Sequence, residues 1–341
     1  MTETSDPSSK TGDIRASDLH LDDFSTRKTT GSQPAAKYYG EALLAAARAN
    51  PAIIALSGDL TPATETDLIR DALPEQFIMA GIAEANMVGV AAGLARAGMM
   101  PFVHSFSVFL SRRSFDQIAM QVAYPRTNVK LIGFMPGIDS LLGVSHQAID
   151  DLALMRALPN MTVIEPAGPA EYSAAVAATI AHEGPVYLRL YRSTSKIEET
   201  DGPPPALKIG HMHEIRQGKD VAIIACGLMV ERALQAAAAL AAEDISAAVL
   251  NAASIKPFDR QSVIALANRF KGIITAENHT IIGGLGSAVA EVLAETGSSC
   301  TLRRVGLDDC FAEGGSRDYL FRKYGLDAEH ICTAARNLLN S

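Results

Sequence analysis

A single carboxylate stands out in a long apolar stretch of the sequence. Between Gln76 and Ala95, Glu84 is the only ionisable residue. An ionised carboxylate is costly to bury without a partner. Two interpretations are therefore open for Glu84. It is either held for structural reasons by a helix N-terminus or an arginine, or it is a group tuned for acid–base chemistry or for orienting a ligand.

Two further patterns suggest chemistry but are incomplete. His211 and His213 have the spacing of alternate residues in a strand, yet the sequence suggests no third metal ligand near them. Gly284 and Gly286 precede a helical pattern, but position 289 is Val where a dinucleotide-binding loop has its third glycine. We therefore predict neither a metal site nor a dinucleotide site in this chain.

The elements that position Glu84 follow from an alternation of apolar strand-like runs and helical stretches. Such alternation predicts an α/β fold in which each domain is a mostly parallel sheet with helices on both faces. The predicted strands are 53–57, 77–80, 101–106, 129–134, 161–165, 186–190, 221–226, 247–250, 273–276 and 302–305. The predicted helices are 39–47, 84–95, 171–182, 230–242 and 287–294.

Composition divides the chain into four segments. Residues 1–33 are rich in Ser, Thr and Asp and show no apolar period, which is typical of a flexible arm. Residues 196–206 contain three consecutive prolines and several acidic residues, which is typical of a linker. The two α/β domains are accordingly predicted over 34–195 and 207–341.

Charge and composition exclude several classes of protein. The net charge of −8 and the absence of a basic block argue against a nucleic-acid or anionic-membrane partner. Glycines and polar residues interrupt the apolar stretch 76–95, so we expect a strand, a turn and a buried helix there, not a membrane span. The four cysteines lack zinc-site or disulfide patterns, and the N-terminus lacks a signal pattern. We expect a cytoplasmic protein with small-molecule substrates.

Several blocks of residues, in order along the chain, resemble the transketolase family. They are Gly81–Met87, His104–Ile118, Ser145–Gln147, Ala157–Met161, Glu277–His279 and Gly283–Gly286. The first blocks are similar to the pyrimidine-binding domain of transketolases and deoxyxylulose-phosphate synthases, and the last two to the transketolase C-terminal domain. The resemblance covers about residues 35–340 and implies these two folds and thiamine diphosphate as the cofactor.

The resemblance implies a role for each residue near the cofactor. Glu84 would be catalytic, because it would hydrogen-bond the cofactor's aminopyrimidine and favour the imino tautomer that removes the C2 proton. Phe106 and Phe109 would pack on the aminopyrimidine ring, and Asp59 would lie close to the cofactor. His146 would be the second catalytic residue and would reach the donor substrate near its reactive carbon.

The substrate side departs from the transketolase pattern. Arg192 matches an arginine that holds the substrate's phosphate, and Arg112 stands where many transketolases have Gly or Tyr. Leu142, with its neighbour Leu141, replaces an acidic pair. Both arginines and Leu142 are predicted to contact substrate.

Further polar ligands of the family are also replaced. Met135 or Phe134 aligns with a family histidine, and Ala36 and Ala63 align with phosphate ligands. Met135 is predicted to line the substrate pocket. Because apolar side chains cannot satisfy hydroxyl or phosphate groups, the sequence predicts a donor that is less hydroxylated or unphosphorylated.

One part of the family's cofactor site is missing from the sequence. Transketolases bind the diphosphate through Mg²⁺ with a Gly-Asp-Gly motif in a separate domain, and no Gly-Asp-Gly occurs here. The resemblance therefore implies a partner subunit that carries this motif and holds most of the Mg²⁺ site. It also implies an α2β2 assembly with the active site between chains.

The leading functional prediction is a subunit of a split transketolase-like enzyme that transfers a ketol or acyl C2 unit and is active only with its partner. One alternative is the β subunit of a 2-oxo-acid dehydrogenase or a deoxyxylulose-phosphate-synthase-like enzyme that uses pyruvate. A second alternative is a non-catalytic structural subunit. The retention of Glu84 argues against this second alternative.

Overall fold

The computed structural model describes residues 37–192 and 207–340, which form two sheets flanked by helices. We refer to the described residues before and after the gap as the first and second domains. The predicted arm 1–33, the predicted linker 196–206 and Ala36 lie outside the described residues. The two-sheet α/β architecture agrees with the fold class predicted from sequence.

The strands largely follow the predicted apolar runs. They are β1 Ile53–Ser57, β2 Phe77–Met79, β3 Met100–Phe106, β4 Lys130–Phe134, β5 Thr162–Ile164, β6 Val186–Leu190, β7 His213–Arg216, β8 Val221–Ala225, β9 Ala247–Asn251, β10 Ser254–Lys256, β11 Gly272–Thr280 and β12 Thr301–Leu307. Every residue of β4, β6, β8 and β9 is buried. Continuous apolar strands of this kind are typical of parallel sheets covered on both faces.

The helices cover the sheets and include several that the sequence did not predict. They are α1 Tyr38–Ala49, α2 Asp67–Ala72, α3 Glu84–Arg96, α4 Ser107–Arg113, α5 Phe115–Gln117, α6 Asp151–Ala157, α7 Pro169–Ala181, α8 Met229–Ala241, α9 Arg260–Arg269, α10 Leu285–Glu295, α11 Arg317–Lys323 and α12 Ala328–Leu339. Among the described residues, no helix has both the length and the apolar character needed to cross a bilayer.

The strand order brings three loops to one edge of the first sheet. That sheet has seven strands in the order β10-β5-β6-β4-β3-β1-β2, and the second has five in the order β12-β11-β8-β9-β7. Strands β4, β3 and β1 are adjacent and parallel, so their carboxyl ends lie side by side. Ligands of open α/β sheets bind beyond such ends.

One short strand joins the two domains and was not predicted. β10 belongs to the second domain in chain order but pairs antiparallel with β5, with Ser254 opposite Ile164. The amide of Glu165 also donates a hydrogen bond to the carbonyl of Ala253, at 2.8 Å. A three-residue strand is too short to show a period in the sequence.

A buried ion-pair network lies where the two domains meet. The guanidinium of Arg189 is wholly buried and donates to the carboxylates of Asp151 and Glu165, at 2.8 and 2.7 Å. It also donates to the backbone carbonyl of Asn278 in the second domain, at 3.0 Å. Because its partners come from both domains, Arg189 stabilises the contact between the two domains.

Candidate active site

Glu84 is buried at the start of α3, as the lone charge in an apolar stretch predicted. The chain turns at Gly81, where φ is 72°, and α3 then begins at Glu84. The Glu84 side chain is 3% exposed and accepts a hydrogen bond from Ser105 Oγ at 3.2 Å. Its carboxylate lies in the first turn of the helix, where the helix dipole favours negative charge.

Arg113 is the charged partner of Glu84; an arginine was one of the partners expected from the sequence, but Arg113 was not identified as that arginine. Arg113 Nη1 donates to both carboxylate oxygens of Glu84, at 3.1 and 3.2 Å. The guanidinium carbon also lies 3.9 Å from the centroid of the Phe109 ring. Arg113 follows Phe109 by one helical turn, a spacing that could have revealed the contact. Its side chain is 47% exposed, so the pair opens to solvent on one side.

Arg112, the neighbour of Arg113 in α4, is paired with a different carboxylate, that of Asp150. Its Nε donates to the two carboxylate oxygens of Asp150, at 3.0 and 3.1 Å. Successive residues of a helix differ by about 100° in direction, which separates Arg112 from Arg113. The structure therefore pairs the predicted substrate ligand Arg112 with Asp150, next to α6.

Two phenylalanines and His146 form an aromatic cluster beside Glu84. The ring centroids of Phe106 and Phe109 are 5.8 Å apart, and the His146 centroid lies 5.1 Å from that of Phe109. His146 ends a short 3₁₀ turn, and its Nδ1 is 2.9 Å from Ser145 Oγ. Burial, followed by the nearby charge of Arg113, lowers the pKa of His146. The neutral ring is therefore favoured near neutral pH.

Asp59 and Met135 lie on either side of this cluster. Asp59 follows β1 with φ of 67°, and Met135 follows β4 with φ of 54°. Positive φ is uncommon outside glycine, and such residues concentrate at functional sites. Because β1 and β4 are the two neighbours of β3, Asp59 and Met135 lie at the same sheet edge as Phe106.

The predicted substrate residues lie on the loops next to this edge. Leu142 is exposed, Leu141 and Ala63 are half-buried, and Arg192 is exposed just after β6. Burial raises the pKa of Glu65, and the positive charge of Arg192 partly opposes that shift. Arg192 therefore lies near the buried carboxylate of Glu65, which was not predicted from the sequence.

His104 lies within the family-like block but is structural. Its ring is fully buried, Nδ1 is 3.0 Å from the Leu56 carbonyl, and Nε2 is 2.7 Å from the Tyr39 hydroxyl. Since a carbonyl only accepts, Nδ1 carries the hydrogen and Nε2 accepts from Tyr39. Burial lowers the pKa of His104 to about 4.

Metal-ligating side chains are not clustered in the part of the chain that the structure describes. No group of three His, Cys, Asp or Glu side chains there could hold a metal ion. His213 is the first residue of β7, and His211 lies two residues before that strand.

Family models match both domains of the chain. The transketolase pyrimidine-binding domain matches residues 32–196, and the transketolase C-terminal domain matches residues 210–331. Glu84, Phe106, Phe109 and His146 all fall within the first match.

Two relatives of the chain are a transketolase subunit and a longer synthase. The chain is 44% identical to the 6-deoxy-6-sulfo-D-fructose transketolase subunit SqwH of Clostridium sp. (strain MSTE9), over 88% of this chain and 92% of that one. It is 36% identical to 1-deoxy-D-xylulose-5-phosphate synthase 1 of Geobacter sulfurreducens, over 93% of this chain but only 50% of the synthase. The higher identity to the subunit favours the transketolase prediction over the synthase alternative.

Solved structures support the same conclusion. A split-gene transketolase, an inactive β4 tetramer, superposes with a TM-score of 0.81 at 43% identity, over 89% of this chain and 97% of that one. The transketolase of Campylobacter jejuni superposes with a TM-score of 0.70 at 21% identity, over 88% of this chain and 46% of that one, and supports the fold alone. With both domains matched and a buried glutamate beside an aromatic cluster, the chain belongs to the transketolase family and is a transketolase-like subunit with a pyrimidine-binding and a C-terminal domain.

Proposed function

We propose that this chain is one half of a split transketolase that transfers a C2 unit with thiamine diphosphate, and that it is active only with a partner subunit. The observation that carries the proposal is that Arg113 contacts both a buried carboxylate, that of Glu84, and the face of the Phe109 ring. Because the Arg113 side chain is 47% exposed, the place that it occupies between them opens to solvent.

The residues around Arg113 fit an aminopyrimidine ring. Glu84 offers a carboxylate to a ring nitrogen, and Phe106 and Phe109 offer faces for a flat ring. Arg113 now fills the space over Phe109, so its side chain must swing toward solvent when a ring enters. When bound, the cofactor would supply a nucleophilic carbon for addition to the donor's carbonyl group.

Two residues of this chain would then act on different molecules, Glu84 on the cofactor and His146 on the donor. Glu84 would hold the pyrimidine in the required tautomer through a charge-assisted hydrogen bond, which the buried setting strengthens. His146, whose Nδ1 is engaged by Ser145, would present Nε2 to an oxygen of the donor. Because its pKa is lowered, the neutral ring can accept a proton from that oxygen and return it.

A partner subunit is needed to complete the cofactor site. The sequence has no Gly-Asp-Gly motif, so we assign the diphosphate and Mg²⁺ to a second chain that carries it. The relative SqwH is a transketolase subunit, and the solved split-gene transketolase without activity contains β chains only. Both relatives support an assembly of two kinds of chain, which we propose to be α2β2.

We further propose a donor without a phosphate group. Leu141, Leu142 and Ala63 place apolar surface where the family has acidic or phosphate-binding residues, and a sugar phosphate would leave its charge unpaired there. The relative SqwH acts on a sulfonated sugar, which shows that a related subunit serves a donor of another kind. Of the two arginines predicted to contact substrate, Arg112 is engaged by Asp150, and Arg192 is exposed just after β6 and available to the anionic group of such a donor.

The test is a comparison of donors on the reconstituted enzyme. The chain is mixed with the subunit that carries Gly-Asp-Gly, and kcat/KM is measured for xylulose 5-phosphate, 6-deoxy-6-sulfofructose, hydroxypyruvate and pyruvate. We expect ketol transfer, with xylulose 5-phosphate the poorest ketose donor. A clear preference for xylulose 5-phosphate would refute the donor assignment, and the absence of any transfer would refute the function.

A further inference from the structure

The loop that carries His146 is held by the second domain. We call residues 136–147 the substrate loop; it follows Met135 and ends next to His146. The loop is pinned to its own domain where the amide of Gly137 donates to the carbonyl of Ala148, at 2.8 Å. Its anchors in the second domain are the side chains of Asn278 and Arg317 and the backbone carbonyl of Glu313.

Arg317 forms the strongest of these anchors. Its Nε and Nη2 donate to the two carboxylate oxygens of Asp139, at 2.8 and 2.6 Å, in a bidentate pair. Its Nη2 also lies 3.4 Å from the carbonyl of Arg192, at the end of β6. Burial raises the pKa of Asp139, and the charge of Arg317 opposes that shift. Without Arg317, the Asp139 carboxylate would lose its principal partner in a buried position.

Asn278 holds the beginning of the substrate loop. Its Oδ1 accepts from the amide of Ile138 at 3.0 Å, and its Nδ2 donates to the carbonyl of Pro136 at 3.4 Å. Gly137 lies directly beneath the amide group, with φ of 65°, and a Cβ there would come within 2.2 Å of Asn278. The side chain of Asn278 therefore replaces a neighbouring strand as the partner of this backbone.

The end of the loop packs against the backbone of the second domain. Gln147 Nε2 donates to the carbonyl of Glu313 at 3.0 Å. A Cβ added to Gly314 would lie 2.5 Å from the Leu141 carbonyl, and one added to Gly143 would lie 3.2 Å from the Gly314 amide. The two backbones therefore touch with no space for a methyl group between them.

We propose that Arg317 and Asn278 are positioning residues, and that the second domain fixes the substrate loop so that His146 stands against Phe109. The inference rests on the proposed role of His146 toward the donor. General adhesion between the domains does not require Arg317, because the Arg189 network and the β10–β5 pairing already join them. Arg317 instead acts on the loop, and through it on the placement of His146.

The main test compares two arginines whose side chains are similarly exposed, although Asp139 is 13% exposed and the carboxylates bound by the control arginine are 42% and 67% exposed. Arg317→Met removes the anchor, and Arg336→Met is the control. Arg336 also lies in the second domain and binds carboxylates, those of Glu243 and Glu329, and its side chain is 34% exposed against 33% for Arg317. A second pair avoids any change of charge. Gly314→Ala places a methyl group against the backbone of the substrate loop. Its control is Gly168→Ala, because a Cβ at Gly168 meets nothing within 4 Å.

Two measurements decide the outcome. Amide hydrogen exchange on the full chain should speed up in residues 137–147 for Arg317→Met and Gly314→Ala, and not for their controls. In the reconstituted enzyme, both variants should lower kcat/KM for the donor by about 10- to 100-fold while the affinity for thiamine diphosphate stays unchanged. Equal exchange in Arg317→Met and Arg336→Met would overturn the proposal.

The design also separates this inference from the proposed function. If wild-type enzyme is active and His146→Ala impairs donor use, but Arg317→Met does not, the function stands and the positioning role fails. If the wild-type pair shows no transfer, the function fails, and the exchange measurement on the chain alone still decides whether Arg317 orders the loop.

Discussion

The replacement of Glu84 by glutamine tests the central residue of the site with a nearly isosteric change. In the wild type, the carboxylate is 3% exposed and engages Arg113 and Ser105 at 3.1–3.2 Å. Glutamine keeps the volume and an oxygen acceptor for both partners. It cannot provide the negative charge that a ring nitrogen requires in order to retain its proton.

The structure indicates a small effect of Glu84→Gln on stability and a large effect on rate. Arg113 is 47% exposed, so the guanidinium that loses its ion pair can turn to water. Glutamine also removes the cost of burying a charge. The free energy of unfolding should therefore change by about 1 kcal/mol or less. Turnover should fall by about 10²–10⁴-fold, the range for groups that control proton transfer.

The assay combines steady-state rates of the reconstituted enzyme with urea denaturation of the chain. The control is Glu291→Gln, which makes the same change in a carboxylate that is paired with Arg156 at 2.9 Å and is 55% exposed. The control should keep the wild-type rate. A Glu84→Gln enzyme that retains more than about a tenth of the wild-type rate would refute the assigned role.

Three further predictions follow from buried groups and from the missing domain. Arg189→Met leaves the carboxylates of Asp151 and Glu165 unpaired in the core, so urea denaturation should show a loss of about 3–5 kcal/mol. His104 has a pKa of about 4 when folded, below its ordinary value, so the unfolded chain binds the proton first as the pH falls. Its contribution to stability is complete above pH ~6.5 and declines toward pH ~4, by about 2 kcal/mol at pH 5, and His104→Gln should abolish this dependence in thermal melts. The isolated chain with Mg²⁺ should not bind thiamine diphosphate in calorimetry.

Each of these three predictions has a result that would contradict it. Arg260→Met, which breaks only the surface pair with Glu295, should cost far less than Arg189→Met, and similar losses would contradict the network's role. A difference in melting temperature between wild type and His104→Gln that is constant from pH 5 to pH 8 would exclude the titration. Micromolar binding by the homogeneous isolated chain would show that the cofactor site is complete without a partner.

Much of the fold and the burial of Glu84 could be predicted from the sequence. Continuous apolar runs identified most strands, because parallel strands buried on both faces leave a simple pattern. The lone charge of Glu84 in an apolar stretch was informative because burial of a carboxylate is costly. The match of Phe106, Phe109 and His146 to family positions is consistent with their contact in the structure.

What the sequence did not predict depends on contacts between distant residues. Arg112 and Arg113 are adjacent in the chain, and only the direction of α4 decides which of them reaches Glu84. Asn278 and Arg317 are brought to the substrate loop by the docking of the two domains, which no local pattern encodes. The three-residue strand β10 likewise exists only because β5 offers it an edge.

The pairing of β10 with β5 bears on how this protein can be cut into parts. A fragment that ends before residue 254 would leave β5 at the rim of its sheet, where its backbone hydrogen-bonding groups would face water instead of Ser254 and Lys256. An uncovered apolar edge of this kind recruits strands from other molecules. Fragments that consist of the first domain alone are therefore prone to aggregate, and the two domains should unfold together as one cooperative unit.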